Sequence, residues 1–120
     1  MATEDKCCTI APYFKVANDQ QKAFKKLCEQ FVEKTRQEPK CLYYGFSFSG
    51  DVAFCREGYE DAEGVLAHIE NVGALLEQIM EIAELTRLEI HGPEQELAEL
   101  REPLAELNPQ FFSLEYGFRR

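Results

Sequence analysis

The stretch Arg56–Gly73, REGYEDAEGVLAHIENVG, decides how the chain is read. It opens as the end of a strand, turns through the acidic pair Glu60-Asp61 and becomes a helix. Asp61 is suited to cap that helix by accepting from its free backbone N–H groups, and Glu63 adds negative charge near the positive end of the dipole. Ala62, Val65, Leu66, Ile69 and Gly73 recur at helical spacing and form one apolar stripe. His68, one of two histidines in the chain, falls at the border of that stripe, where its ring can look into a pocket between helix and sheet. Arg56 and Glu57 are neighbours in the strand and face opposite sides, so whichever faces the helix layer needs a partner.

Upstream, Val52–Tyr59 reads as a strand returning from the aromatic-rich strand Cys41–Ser49 through a tight Ser49-Gly50-Asp51 hairpin turn. Cys7–Val16 reads as an earlier strand, with Cys8, Ile10, Pro12, Phe14 and Val16 on one side. Pro12 cannot donate to a ladder and hints at an edge or a bulge. Asn18-Asp19 offers an N-cap for a helix whose apolar face carries Phe24, Leu27, Cys28 and Phe31, and which stops before Pro39.

Downstream, the helix breaks near Gly73, and a second helical pattern runs through Leu75, Leu76, Ile79 and Met80. Arg87–His91 reads as a fourth strand, with His91 a turn residue before Gly92-Pro93. Glu94–Leu107 reads as a short acidic helix interrupted at Pro103. A last strand is expected from Phe111 to about Phe118, with Phe112, Leu114, Tyr116 and Phe118 on one face.

The order of elements predicts an α+β fold: a ferredoxin-like split β-α-β with an antiparallel sheet, plus a C-terminal helix and strand, over one domain spanning 1–120. Helices would cover one face of that sheet only. An uncovered second apolar face predicts pairing with another copy into a dimeric α/β barrel, and the final aromatic strand is a candidate to reach into the partner.

Acidic residues outnumber basic ones by 22 to 13, giving a formal net charge of −9, which argues against nonspecific binding to nucleic acid or an anionic membrane. No stretch reads as a secretory signal or a membrane span. Five cysteines without a CxxC pair predict free thiols, no metal site and a cytoplasmic protein. There is no G-x-S-x-G, no phosphate loop, no H-E-x-x-H and no Rossmann fingerprint.

A strand ending in an aromatic, an acidic turn and a helix with a histidine just past its middle (Tyr59, Glu60-Asp61, His68) resembles the antibiotic biosynthesis monooxygenase (ABM) family of small dimeric α/β-barrel proteins. The resemblance implies a cofactor-independent monooxygenase acting on an aromatic or polyketide-like small molecule. Such chemistry needs a base of near-neutral pKa, donors for a developing oxyanion and a dry aromatic pocket. Under that reading His68 is the base, Tyr44 a donor, and Asn71 orients water or substrate. Tyr13, Tyr43, Arg56 and Tyr59 contact substrate. The bland alternatives are sheet packing for the tyrosines, an ion pair for Arg56 and a helix-end role for Asn71. The haem-degrading branch of the family uses a tryptophan, which this chain lacks, so no haem and no other cofactor is expected. The competing expectation is a non-catalytic dimer of the same fold that binds a small ligand or serves in stress.

Overall fold

A computed structural model describes residues 3–120. In chain order it has β1 (Cys8–Lys15), a 3-10 turn at Asn18–Gln20, α1 (Gln21–Thr35), β2 (Cys41–Ser49), β3 (Val52–Tyr59), α2 (Ala62–Asn71), α3 (Gly73–Ile82), β4 (Glu84–Gly92), α4 (Glu94–Leu100), a second 3-10 turn at Ala105–Leu107 and β5 (Gln110–Ser113). The sheet order is β2-β3-β1-β4-β5. The first four strands pair antiparallel, as the split β-α-β arrangement requires. β5 joins β4 in parallel, so the sheet is mixed rather than wholly antiparallel. The physical reason is α4 and its following turn, which form the crossover that a parallel pair needs. β2 and β5 are left as free edges.

The helices pack on the face presented by Cys8, Ile10 and Phe14 of β1, Val16 just after it, and Ala53, Cys55, Glu57 and Tyr59 of β3. Two apolar clusters form there. One joins α1 and α3 to the sheet through Phe14, Phe24, Phe31, Val72, Leu75 and Ile79. The other joins α2 and α4 through Ile10, Val65, Leu88, Ile90, Leu97 and Leu100. The break between α2 and α3 falls at Val72, whose φ of −102° and ψ of 10° leave the helical region, beside Gly73 as the sequence suggests. Asp61 caps α2 by accepting from the Gly64 N–H at 3.0 Å, and the same carboxylate takes the Lys40 ammonium at 2.8 Å. Glu96 of α4 accepts the Ala62 N–H at 2.8 Å, which ties the added C-terminal helix to the start of α2.

Several expectations are corrected. The last strand ends at Ser113 instead of Phe118. The Leu114 N–H still donates to the Gly92 carbonyl at 2.7 Å, but β4 ends there and Pro93 extends no ladder, so Tyr116 and Phe118 leave the sheet and are exposed. β4 runs from Glu84 to Gly92, longer at both ends than expected, and His91 belongs to it, hydrogen-bonded to Glu89 and stacked on Phe112. Asn18 and Asp19 cap nothing with their side chains, because a 3-10 turn precedes α1; the Gln21 side chain instead donates to the Val16 carbonyl. Pro12 lies in a central strand, next to a register shift at Tyr13/Phe14. Among the described residues no helix is long and apolar enough to cross a membrane.

Candidate functional site

His68 is not at the border of the buried face of α2 but central to it. Ala62, Gly64, Val65 and His68 are the buried residues of that helix, and His68 is 3% exposed. Gly64 sets this roll: a Cβ there would lie 2.9 Å from Lys40 Cβ and 3.2 Å from Tyr59 Cβ, so only glycine lets α2 come so close to the sheet.

Four side chains surround the imidazole. Its Nδ1 is 2.9 Å from Glu38 Oε2, and its Nε2 is 3.5 Å from Glu57 Oε1. The rings of Tyr44 and Tyr59 lie 5.2 and 5.1 Å from its centroid. Glu57 also accepts a 2.7 Å hydrogen bond from the Tyr59 hydroxyl, its neighbour two residues along the same strand face. Asn71 donates through its amide to Glu38 Oε2 at 2.8 Å and to the Lys34 carbonyl at 3.1 Å. Glu38 Oε2 thus takes two donors, which fixes the imidazole with its proton on Nδ1 and turns Nε2 toward Glu57. The two carboxylates lie on opposite edges of the ring, so they do not converge on a common point. Among the described residues no group of three or more His, Cys, Asp and Glu side chains gathers as metal ligands would.

Burial sets the protonation of this cluster. Glu57 is 4% exposed, and desolvation, with a smaller contribution from the Glu38 charge, pushes its carboxyl up to about 7 against the hydrogen bonds from Tyr59 and Cys55. Desolvation holds His68 below its ordinary value, although Glu38 pulls the other way. Both effects favour a neutral imidazole facing a protonated Glu57. Burial likewise raises Tyr44 and Tyr59 far above the ordinary phenol range, so each can donate a hydrogen bond but not act as a base.

The cluster borders a cavity of about 80 Å³ in the seam between the two apolar clusters. Glu57, His68, Tyr44 and Cys55 supply its polar end; Ile10, Phe14, Ile79 and Leu88 are among its hydrocarbon walls. Met80 and Leu107, exposed by 45% and 36%, lie toward its mouth.

Of the sequence-derived site residues, the structure brings His68, Tyr44, Tyr59 and Asn71 together. Asn71 touches Glu38 and is not among the residues that line the cavity. Tyr13, Tyr43 and Arg56 are on the opposite face of the sheet. Tyr13 packs on Phe54, Arg56 lies over the Tyr43 ring at 5.0 Å, and the Tyr43 ring covers Gly58. Strand alternation is the reason: Tyr44, Glu57 and Tyr59 occupy helix-facing positions, and their immediate neighbours cannot. Two members of the cluster were not among the expected site residues: Glu57, named only beside Arg56 as a strand residue that would need a partner if it faced the helices, and Glu38. Glu57 carried a signal, as the one acid among the helix-facing residues of β3. Glu38, in the connection before Pro39, carried none, because only the tertiary structure brings it to His68 thirty positions on.

No protein-family model matches the chain, and no curated protein matches it significantly. Solved structures do. A proposed antibiotic biosynthesis monooxygenase from Nitrosomonas europaea superposes with a TM-score of 0.69 at 17% identity, over 77% of this chain and 94% of its own. A protein of unknown function from Bacteroides thetaiotaomicron, described as a possible oxidoreductase, gives 0.66 at 20% identity, over 72% and 96%. These define the class: the chain has the ABM-type ferredoxin-like fold. The crystal structure of MupZ from Pseudomonas fluorescens matches with a TM-score of 0.95 at 46% identity, over 100% of this chain and 94% of that one. The chain belongs to the family of MupZ.

Proposed function

We propose that the protein is an acid–base enzyme acting on an aromatic or polyketide-like small molecule held in the apolar cavity. One observation carries this reading: a buried Glu38–His68–Glu57 line ends at that cavity with a carboxyl titrating at about 7. A carboxyl near neutrality both accepts and returns a proton at working pH, which suits general acid–base catalysis. The Glu57–His68 pair takes a proton from the substrate, Glu38 keeps the imidazole oriented, and the Tyr44 hydroxyl donates to the oxyanion that develops. In the oxygenase form of this chemistry the resulting carbanion or phenolate reacts with dioxygen, with the electrons coming from the substrate. The fold likeness to ABM structures supports that form, and no cofactor is required for it.

The size of the cavity speaks for the second reading, a non-catalytic ligand-binding protein. About 80 Å³ is less than the ~300 Å³ of the smaller ligand pockets, so a multi-ring ligand enters only if Met80 and Leu107 move. Oxygen uptake and product analysis with quinols, anthrones, flavonoids and unsaturated polyketide acids test both. Turnover of at least one, lost in His68→Ala, is expected. Tight binding of a member of the panel without any turnover replaces the enzyme reading with the binding one.

The protein is further proposed to act as a homodimer. The open face of the sheet carries Tyr13, Tyr43, Phe54 and Phe112, and Tyr116 and Phe118 are exposed beyond β5. A second copy laid against these groups would bury them.

A further inference from the structure

We infer that a second, polar cavity at the free edge of β2 is a water inlet through which protons pass between bulk solvent and Glu57 by way of Thr35 and Tyr44. The inference rests on the acid–base reading of Glu57 above. This cavity measures about 240 Å³ and is lined by Val32, Thr35 and Arg36 at the end of α1 and by Cys41–Tyr44 of β2. It has room for several waters, each filling about 30 Å³.

Among the described residues, Thr35 Oγ1, of a residue in this cavity's wall, lacks a protein partner, as does Glu38 Oε1 three residues on. Both belong to one turn, closed by the Glu38 N–H donating to the Thr35 carbonyl at 2.9 Å. A buried hydroxyl or carboxylate oxygen left without a hydrogen bond is unfavourable. The turn is therefore built to meet a small hydrogen-bonding molecule, and Thr35 is part of the polar cavity's wall.

Tyr44 is the residue that lines both cavities. Its position in β2 is directly opposite Glu57 in β3, so the two side chains are nearest neighbours across the strands on the helix-covered face. Tyr44 and Thr35 stand together in the wall of the inlet. The side chains are thus placed in order from Glu57 through Tyr44 to Thr35 and the inlet. The apolar cavity offers no such route, since beyond the cluster its walls are hydrocarbon and a bound substrate would plug it.

A proton gained by Glu57 during turnover must leave before the next cycle. Along this line each hydroxyl, with inlet waters between them, accepts one proton and releases its own. Glu57 ends as the carboxylate, Tyr44 and Thr35 end unchanged, and a water in the inlet carries the proton away. No oxidant or reductant is involved.

The test follows the carboxyl itself. The infrared band of protonated Glu57, assigned by its loss in Glu57→Gln, is recorded after rapid mixing of the intact protein into D2O on the acid side of its midpoint. Wild-type protein is expected to exchange fast. Thr35→Val and Tyr44→Phe, which break the line, should slow exchange at least tenfold. Leu42→Trp, at an exposed residue of the inlet wall, should do the same without touching a polar group, and so stands if the buried variants fail to fold. Wild-type exchange rates in folded Thr35→Val and Leu42→Trp overturn the inlet. Absence of the band in wild-type protein at every pH overturns the acid–base reading itself, and the inlet with it.

Discussion

At the residue scale, burial sets how the cluster holds its protons. Glu57 is held up at about 7 because its charge is taken out of water, and His68 is held down for the same reason. His68 is thereby biased toward the neutral form, and the limb of the rate profile is assigned to Glu57. Activity should rise with pH through about 7, as the carboxylate that accepts the proton forms. His68→Ala should lower the rate by about 10²–10⁴-fold, while sedimentation shows the assembly unchanged. The same shift has a stability consequence of definite sign. Glu57 has a folded pKa above its unfolded value of 4.5, so its favourable contribution is complete below 4.5 and is lost as pH rises through about 7. The loss is on the order of 3 kcal/mol. His68 acts in the opposite sense, its contribution present above 6.5 and lost in acid. Glu57→Gln keeps an acceptor for Tyr59 and removes the titration. Denaturant melts of wild type and variant across this range should therefore diverge toward acid, with the wild type gaining, and parallel curves would disprove the raised carboxyl.

At the element scale, α2 owes its position to three local features: the Asp61 cap, the Glu96 carboxylate on the Ala62 N–H, and Gly64 against Lys40 and Tyr59. Of these Gly64 is the most sensitive, because the atoms it meets are Cβ atoms near the backbone and cannot swing away. Gly64→Ala gains helix propensity, worth about 1 kcal/mol. It should nevertheless be destabilising by about 1–3 kcal/mol, through overpacking that lifts α2 off β3. Because His68 rides on the same helix, activity should fall more than stability does. A thermal melt beside an activity assay measures both, and a stabilised, fully active Gly64→Ala would contradict the close approach.

At the scale of the whole molecule, one face of the sheet is covered by helices and the other is not. Sedimentation at micromolar concentration should give twice the 13.8 kDa mass of the chain, and a stable monomer there would count against the dimer. All five cysteines are free thiols in the structure. Burial pushes Cys8 and Cys28 up to about 12, so these two should resist alkylation in the native protein and react after unfolding. Fast native labelling at either would show that the core opens.

The order of elements was legible in the sequence because periodicity is local: apolar residues at helical spacing and strand alternation fix α1 to α3 and β1 to β4, and Gly73 marks the break. Strand alternation also contained the separation of Tyr44 from Tyr43 and of Glu57 from Arg56, but not which member of each pair faced the helices. The length of β5 was not legible, because a strand lasts only as long as its neighbour, and β4 ends at Gly92. Nor was Glu38. It lies in an irregular connection with no periodicity, and nothing local marks it as the partner of His68. That pairing, the depth of Glu57 and the cavity beside them were decided by the tertiary structure alone, because burial and charge proximity, which set how these groups hold protons, exist only once α1, α2 and β3 are packed together.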